Sequence, residues 1–427
     1  MSHRRRILST LAISVTTVSV VACSSATSRP VARPTTTTTR ATVDGTLTLG
    51  QLAPLTGPIA TIADSFTVPV KLAVDEMNFS GGINGKPVAL AVADDGSSST
   101  TATAAFNGLV DTNRVDAIIG PSTSQLALGL IDAARTRSVV MCSGSNSYGP
   151  ISTAAARSGF YFRTAPPDRL QADALGALLV GDGRHRPVIL TPRDSYGVPF
   201  ATELVHALRV RRVRGASIVA VTSPEADATR VVDQALARQP DAIVLIGFPA
   251  TSAPILKALI ARGKGPLQIP TYGSDGLQSA DLGALVDPAK PAVVASMRGT
   301  TPAGAPAGID HPFNARLFAT GVEGFFSAST YDCAVLVGLA AVAGRSDDPR
   351  RIRDHFATNL TGKVSCTTFL ECSGALKAHK TIHYRGASSA FDRWQGTEPG
   401  TGTYDVWTLG LDARPALASP GAQIHVP

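Results

Sequence analysis

Beyond residue 44 the sequence alternates short apolar runs with amphipathic stretches, and it does so in two successive series. Thr46–Gln51 reads as a strand. Pro58 to Asn78 carries Val70, Ala73, Val74 and Met77 at the spacing of one helix face, and Gly81-Gly82 ends it. Val88–Ala93 is a second strand, with a helix from Ser99 to Asn113. Val115–Ile119 and Val139–Cys142 are two more, separated by a helix over Ser122–Arg135. The rhythm restarts after Arg163. Helices are expected at Asp168–Val180, Val198–Arg209, Asp227–Arg238 and Ser252–Ala261. Strands are expected at Val188–Thr191, Ser217–Val221, Ala242–Gly247 and Gln268–Tyr272. Short strands joined through helices demand parallel sheets with right-handed crossovers, so the expectation is an α/β chain with two doubly wound lobes. Ala292–Met297 reads as a further strand, with helices near Ala328–Val342 and Arg350–Asn359. In such sheets ligands bind outside the carboxyl ends of the strands, so the residues following each strand matter most.

Composition agrees. The 427 residues are 44% hydrophobic and 17% charged, enough apolar matter for two or three packed domains. That excludes a wholly disordered chain, a coiled coil and a fibrous repeat. The formal charge is +7, and Arg4, Arg5 and Arg6 supply three of those charges. Arg209, Arg211, Arg212 and Arg214 lie near a helix end and read as a solvated face, so no nucleic-acid partner is expected.

The first residues have the pattern of an export signal. Three arginines precede a mostly apolar run from Ile7 to Ala22, about 24 Å long as a helix and short for a bilayer span. The run ends in Val20-Val21-Ala22-Cys23, which resembles the bacterial lipobox, where the Cys is diacylated and becomes the mature N-terminus. Residues 1–22 are therefore expected to be a lipoprotein signal peptide, with Cys23 carrying lipid. Residues 23–44 are rich in Ser, Thr, Pro and Arg and read as a disordered tether. The expected location is the extracytoplasmic face of a cell membrane. No later stretch reads as long and apolar enough to span a bilayer.

Four more cysteines remain, an even number in an exported chain. Cys366 and Cys372 are the expected disulfide. Cys142 and Cys333 both lie beside apolar segments, and a second disulfide or two buried thiols fit equally.

Several local runs occur in order: Gly50-Gln51-Leu52-Ala53-Pro54-Leu55-Thr56-Gly57; Leu72 to Asn78 followed by Gly81 to Lys86; Asp94-Asp95-Gly96-Ser97; Ile119 to Ser124; Phe162 to Asp168; Asp194-Ser195-Tyr196-Gly197; and Gly273-Ser274-Asp275-Gly276. Together they closely resemble the leucine/isoleucine/valine-binding family of periplasmic solute-binding proteins, type 1 fold, over about residues 45–410. Cys366 to Cys372, Phe391-Asp392 and Tyr404 to Trp407 resemble the C-terminal end of lipoprotein members. The resemblance implies two lobes joined by three hinge strands and closing on a small solute. It also implies delivery to the permease and ATPase subunits of an ABC importer. The expected lobes are 45–165 with 300–380, and 166–299 with 381–415. The expected state is a monomer with no cofactor.

Candidate ligand residues follow from position and chemistry. Ser122-Thr123-Ser124 opens a helix after a strand, where free N–H groups and the helix dipole favour a carboxylate, and the Ser124 hydroxyl adds a donor. A plain helix cap explains the same residues. The resemblance implies carboxylate contacts from the loop holding Ser145 and Asn146; Asn146 stands where a Thr is common, and its amide can still donate. Tyr196 follows a strand of the second lobe and can cover the ligand, or simply pack. Phe248 is a candidate apolar wall or a core residue. The resemblance implies that Asp275 meets an α-ammonium, although a turn aspartate is the plain alternative. Asp94, Asp95 and Arg163 read as structural.

Rival chemistries lack their signatures. There is no Gly-x-Ser-x-Gly elbow and no phosphate loop. Cys366, Cys372, His379 and His383 are spaced unlike a zinc finger, so no metal site or catalytic residue is expected. The alternatives to transport are a sensory receptor of the same fold, binding an amide, urea or aromatic acid, and a surface lipoprotein with a degenerate cleft.

Overall fold

The computed structural model describes residues 43–194, 196–305, 310–322, 324, 326–418 and 422–427. The signal peptide, all but the last two residues of the tether and the lipidation residue Cys23 lie outside the described residues.

The first lobe is built on β1 (Thr48–Ala53), β2 (Ala89–Asp94), β3 (Ala117–Ile119), β4 (Val140–Ser143) and β5 (Tyr161–Arg163). All pair in parallel, in the order β2-β1-β3-β4-β5. Helices α1 (Asp64–Phe79), α2 (Ser99–Asp111), α3 (Ser124–Arg137) and α4 (Pro150–Ser158) are the crossovers. β1 shows why the sheet needs two covers. Leu47 and Leu49 belong to one apolar cluster with α1, while Leu52 on the opposite face belongs to another with α2 and α3.

The second lobe starts with α5 (Asp168–Gly181), β6 (Pro187–Pro192), α6 (Gly197–Val210), β7 (Ser217–Val221) and α7 (Pro224–Leu236). It continues through β8 (Ala242–Leu245), α8 (Pro249–Ala261), β9 (Thr271–Gly273), α9 (Leu282–Val286) and β10 (Arg298–Pro302). The strand expected at Ala292–Met297 is not there. Pro291 opens a 3-10 turn over Pro291–Val294, and the strand begins at Arg298, paired with β9. Proline has no N–H to give a central ladder, which displaces the strand along the chain.

The chain then returns to the first lobe. α10 (Pro312–Phe318), α11 (Ser327–Gly344), α12 (Pro349–Phe356), β11 (Val364–Cys366), α13 (Phe369–Lys377) and β12 (Ile382–Tyr384) all add residues to the α1-side cluster. α11 has the length and apolarity of a membrane span, contrary to the sequence expectation, but nearly all of it is buried in this core. Residues 381–391, expected in the second lobe, also pack here, with Ile382, Tyr384, Ala387 and Phe391 buried in the same cluster. Asp332 of α11 holds them by accepting from the Tyr384 hydroxyl at 2.7 Å and the Ala387 N–H at 2.8 Å. After β13 (Trp394–Gln395) and β14 (Glu398–Pro399), the chain crosses again into β15 (Gly402–Leu409), β16 (Pro415–Leu417) and β17 (Gln423–Val426). β15 runs antiparallel to β10 and completes the second sheet, β16-β15-β10-β9-β8-β6-β7, with β17 also on β15.

Three crossings thus join the lobes, and residues from each, Thr164, Pro166, Pro302, Gly304, Pro399 and Thr401, line one recess. Arg163 locks the first crossing to the third. Its guanidinium is 1% exposed and meets Glu398 at 2.6 Å through Nη2 and 3.0 Å through Nε. Its Nη1 donates to the carbonyls of Asn146 and Tyr148. Arg163 is structural, as its sequence position suggests. Removing one partner of a buried pair leaves a bare charge, at a cost of about 3–5 kcal/mol. Urea unfolding should show Arg163→Met and Glu398→Met each losing about that much, and the double variant losing less than their sum.

Both cysteine pairs are disulfides. Cys366 and Cys372 have Cα atoms 5.3 Å apart, and Cys142 and Cys333 have theirs 5.7 Å apart. The second bond ties the end of β4 to α11 and spans 191 residues of sequence. By chain entropy such a long closure stabilises by up to about 5 kcal/mol. Unfolded, unreduced protein should expose no thiol at these four positions, and Cys142→Ala/Cys333→Ala should melt well below the parent.

Candidate ligand-binding cleft

The carboxyl ends of the two sheets present different chemistry. In the first lobe, α3 begins directly after β3 and the 120–123 loop. Thr123 is its N-cap, and its side chain makes no capping hydrogen bond to the first-turn N–H groups. They remain as donors carrying the positive end of a 14-residue helix. Ser124 accepts the Tyr148 N–H at 3.3 Å, which leaves its own hydroxyl proton free to donate. Ser122 is not available, because its hydroxyl and N–H both bond Asp95, at 2.6 and 3.0 Å. Asp95 is thereby structural, as expected, and Asp94 caps the 94–97 turn and bonds Thr56.

In the neighbouring loop both candidate side chains bond within the protein. Ser145 donates its hydroxyl to the Ser122 carbonyl at 2.7 Å. Asn146 is fully buried and turned inward: Nδ2 bonds the Pro121 carbonyl at 3.2 Å and Oδ1 accepts the Tyr161 hydroxyl at 2.9 Å. Arg163, drawing on the Asn146 carbonyl, holds it there. Asn146 therefore braces the loop.

The second lobe brings its three candidates together. Tyr196 precedes α6, Phe248 caps α8 and Asp275 follows β9. The Tyr196 hydroxyl donates to Asp275 Oδ1 at 3.2 Å and lies 3.1 Å from the Ser274 hydroxyl. Phe248 is 54% exposed, with its ring centroid 5.7 Å from that of Tyr196. It is not a core residue. Gly276 allows this approach, because a Cβ there would sit 3.0 Å from the Phe248 ring. Asp275 also accepts Gln171 Nε2 at 3.1 Å, and Gln171 is anchored on the Thr300 carbonyl at 2.8 Å.

Two groups not singled out from sequence complete the site. Asp168, the first residue of α5, is 3% exposed, and its carboxylate oxygens have no close hydrogen-bond donor among the described residues, although the Ser147 side chain lies near enough to favour their charge. Its N–H donates to the Ser147 carbonyl at 2.8 Å, so it touches the first-lobe loop. The Tyr404 hydroxyl of β15 is also buried without a hydrogen-bond partner among the described residues. Both were visible in the sequence, Asp168 closing the Phe162–Asp168 run and Tyr404 opening Tyr404–Trp407, but only folding places them beside Asp275.

Burial, with the Asp275 charge adding to it, pushes the Asp168 carboxyl up to about 7, against the pull of Ser147 and Arg163. Burial also raises Asp275, offset by its bonds from Gln171, Gly276 and Tyr196. Burial and then these two acids push the Tyr404 phenol well up. A pair of buried acids beside an unpartnered hydroxyl is a site for a cation.

A sequence profile of the periplasmic binding protein family matches residues 46–391. The chain belongs to that family. The chain is 27% identical over 390 residues to the chemotactic signal transduction system substrate-binding protein BasB of Halobacterium salinarum, covering 87% of this chain and 90% of that protein. It is 25% identical to the Leu/Ile/Val-binding protein homolog 3 of Brucella melitensis, over 56% of this chain and 64% of that one. The fold matches the leucine-binding protein LivK of Thermotoga maritima, with a TM-score of 0.69, 18% identity and coverage of 89% and 98%. It also matches LivJ of Streptococcus pneumoniae, crystallised with isoleucine, at 0.66, 20% identity and 89% and 99% coverage. This periplasmic binding protein is thus a two-lobed, type 1 solute binder, and its family binds solutes rather than transforming them.

The raised acids set a pH dependence. Folded Asp168 holds its proton up to about pH 7, while the unfolded residue loses it near 4. The folded state binds more protons across that window, so ligand-free stability falls as pH rises through it. Asp116, buried under β1 and pushed up to about 8, acts in the same direction. Urea unfolding of Asp168→Asn between pH 5 and 8 should show a shallower fall than the parent, with the Asp116 contribution intact.

Proposed function

We propose that this protein captures a small α-amino acid, or a close zwitterionic relative, between its lobes and delivers it to the permease and ATPase of an ABC importer. The observation that carries the reading is the opposed charge. The uncapped N-terminus of α3, with Ser124, faces a carboxylate, and buried Asp168 and Asp275 face an ammonium. Consecutive residues bridge the two ends: Tyr148 N–H bonds Ser124 and the Ser147 carbonyl bonds Asp168. A zwitterion is the small solute that satisfies both. Ser124, Asp168, Asp275, Tyr196 and Phe248 do the binding; Ser145 and Asn146 shape the loop. The closed state is favoured because only there does one ligand touch both lobes.

The reading includes the membrane. Cys23 carries lipid and residues 23–44 tether the folded part to the extracytoplasmic face, while the protein works as a monomer. The names of the Leu/Ile/Val-binding relatives support the amino-acid class. The chemotactic BasB protein matches along nearly its whole length, which favours a second reading in which the loaded form addresses a signalling partner.

Thermal melting against amino acids, amides, urea and aromatic acids tests the solute class. An α-amino acid at ~100 times its dissociation constant should stabilise by about 2.7 kcal/mol. Asp275→Asn and Asp168→Asn should each lose that shift, and affinity should weaken as pH falls below 7 and Asp168 takes up its proton. A shift with uncharged amides alone, unchanged in both variants, refutes the zwitterion reading.

A further inference from the structure

The face of β1 that carries Leu47 and Leu49 next presents Gln51, a polar residue at the carboxyl end of an otherwise apolar stripe. Gln51 is 1% exposed. Its Nε2 bonds the Phe66 carbonyl at 2.8 Å, but its Oε1 has no hydrogen bond among the described residues. Across from it stands Thr330, in the first turn of α11, 3% exposed and with an equally unpartnered hydroxyl. Both residues line a recess with Leu52, Phe66, Ile119 and Ser145. Gly144 lets the loop lie against α11 there, since a Cβ would fall 2.3 Å from the Thr330 nitrogen. The recess holds about 10 Å3, room for one water-sized group. Its lining also includes Pro121 and the Ser143–Ser145 loop, the segments that lead to the start of α3 and to the loop bonded to it.

A buried amide oxygen needs a donor, and a buried hydroxyl can give or accept. A single hydroxyl satisfies both at once, donating to Gln51 Oε1 and accepting from Thr330. An ammonium is already provided for at Asp168 and Asp275, and a branched aliphatic tip exceeds the space while leaving both polar atoms bare. We infer that Gln51 and Thr330 read a hydroxyl on the ligand's side chain, so that the solute is a small hydroxylated amino acid of the serine or threonine type. This inference rests on the amino-acid reading of the cleft and adds the side-chain specificity.

The discriminating probes are threonine and valine, which differ by a hydroxyl in place of a methyl, with serine and alanine as the smaller pair. Binding isotherms of the protein should show threonine at least about tenfold tighter than valine, because a site built for a hydroxyl is penalised when none arrives. Gln51→Leu and Thr330→Val should each cut that ratio below about threefold. Thr330→Val keeps the side-chain shape, so it carries the test if Gln51→Leu melts low. Valine or leucine binding as tightly as threonine would overturn the inference while keeping the amino-acid cleft; the recess would then hold a resident water only. A threonine preference unchanged in both variants would also overturn it. Failure of every amino acid to bind would overturn the cleft reading, and this inference with it.

Discussion

A guanidinium at 1% exposure is tolerable only if fixed acceptors surround it, and in this protein those acceptors come from three separate parts of the chain. Glu398 lies on the hairpin that precedes the last crossing, the Asn146 and Tyr148 carbonyls lie in the loop after β4, and Ser152 lies in α4. Arg163 itself ends β5, at the first crossing. One buried charge thereby specifies where the chain leaves the first lobe, where it finally leaves again, and how the loop beside the cleft is bent. Such a network is expensive to assemble half-made, which fixes a unique position for the crossings between the lobes.

The cleft inherits its polarity from that bracing. Because Arg163 draws on the Asn146 and Tyr148 carbonyls, Asn146 turns its amide inward. The Tyr148 N–H and Ser147 carbonyl then reach Ser124 and Asp168 respectively. The result is a short path between a helix N-terminus and a pair of buried acids. Neither end is well satisfied alone: the helix start has no side-chain cap, and Asp168 and the Tyr404 hydroxyl have no hydrogen bond to their side chains among the described residues. Those unmet demands are what the proposed zwitterionic solute would supply, and the family's solute-binding role gives them a reason to persist.

Particular residues show how far a reading of the chain alone reaches. The strand expected at Ser217–Val221 is observed with the same bounds, and α3 and α6 differ from expectation by only one or two residues, because period and turn chemistry are local properties. That Tyr196, Phe248 and Asp275 lie together follows from their places after successive strands, because in a parallel sheet those ends converge. The internal bonds of Asn146 are invisible in the sequence because its partners, Pro121 and Tyr161, lie 25 and 15 residues away. Asp168 looked like a helix-opening residue, and nothing local marks it as unpartnered. α11 looked like no membrane span, yet its composition is that of one; a helix surrounded by α1, α12, α13 and the first sheet is apolar on every side for the same physical reason.

The sequence by itself determined the two doubly wound series, the parallel pairing they force, the family and the ends of the sheets at which a ligand must lie. These follow from hydrophobic period, crossover handedness and motifs contained within a few residues. Tertiary structure alone decided which polar groups are already bonded and which, among the described residues, remain open: Asn146 and Ser122 closed, Asp168, Tyr404, Gln51 and Thr330 open. Hydrogen-bond satisfaction depends on partners brought together from distant segments, so it is written in the packing and in no single stretch of chain.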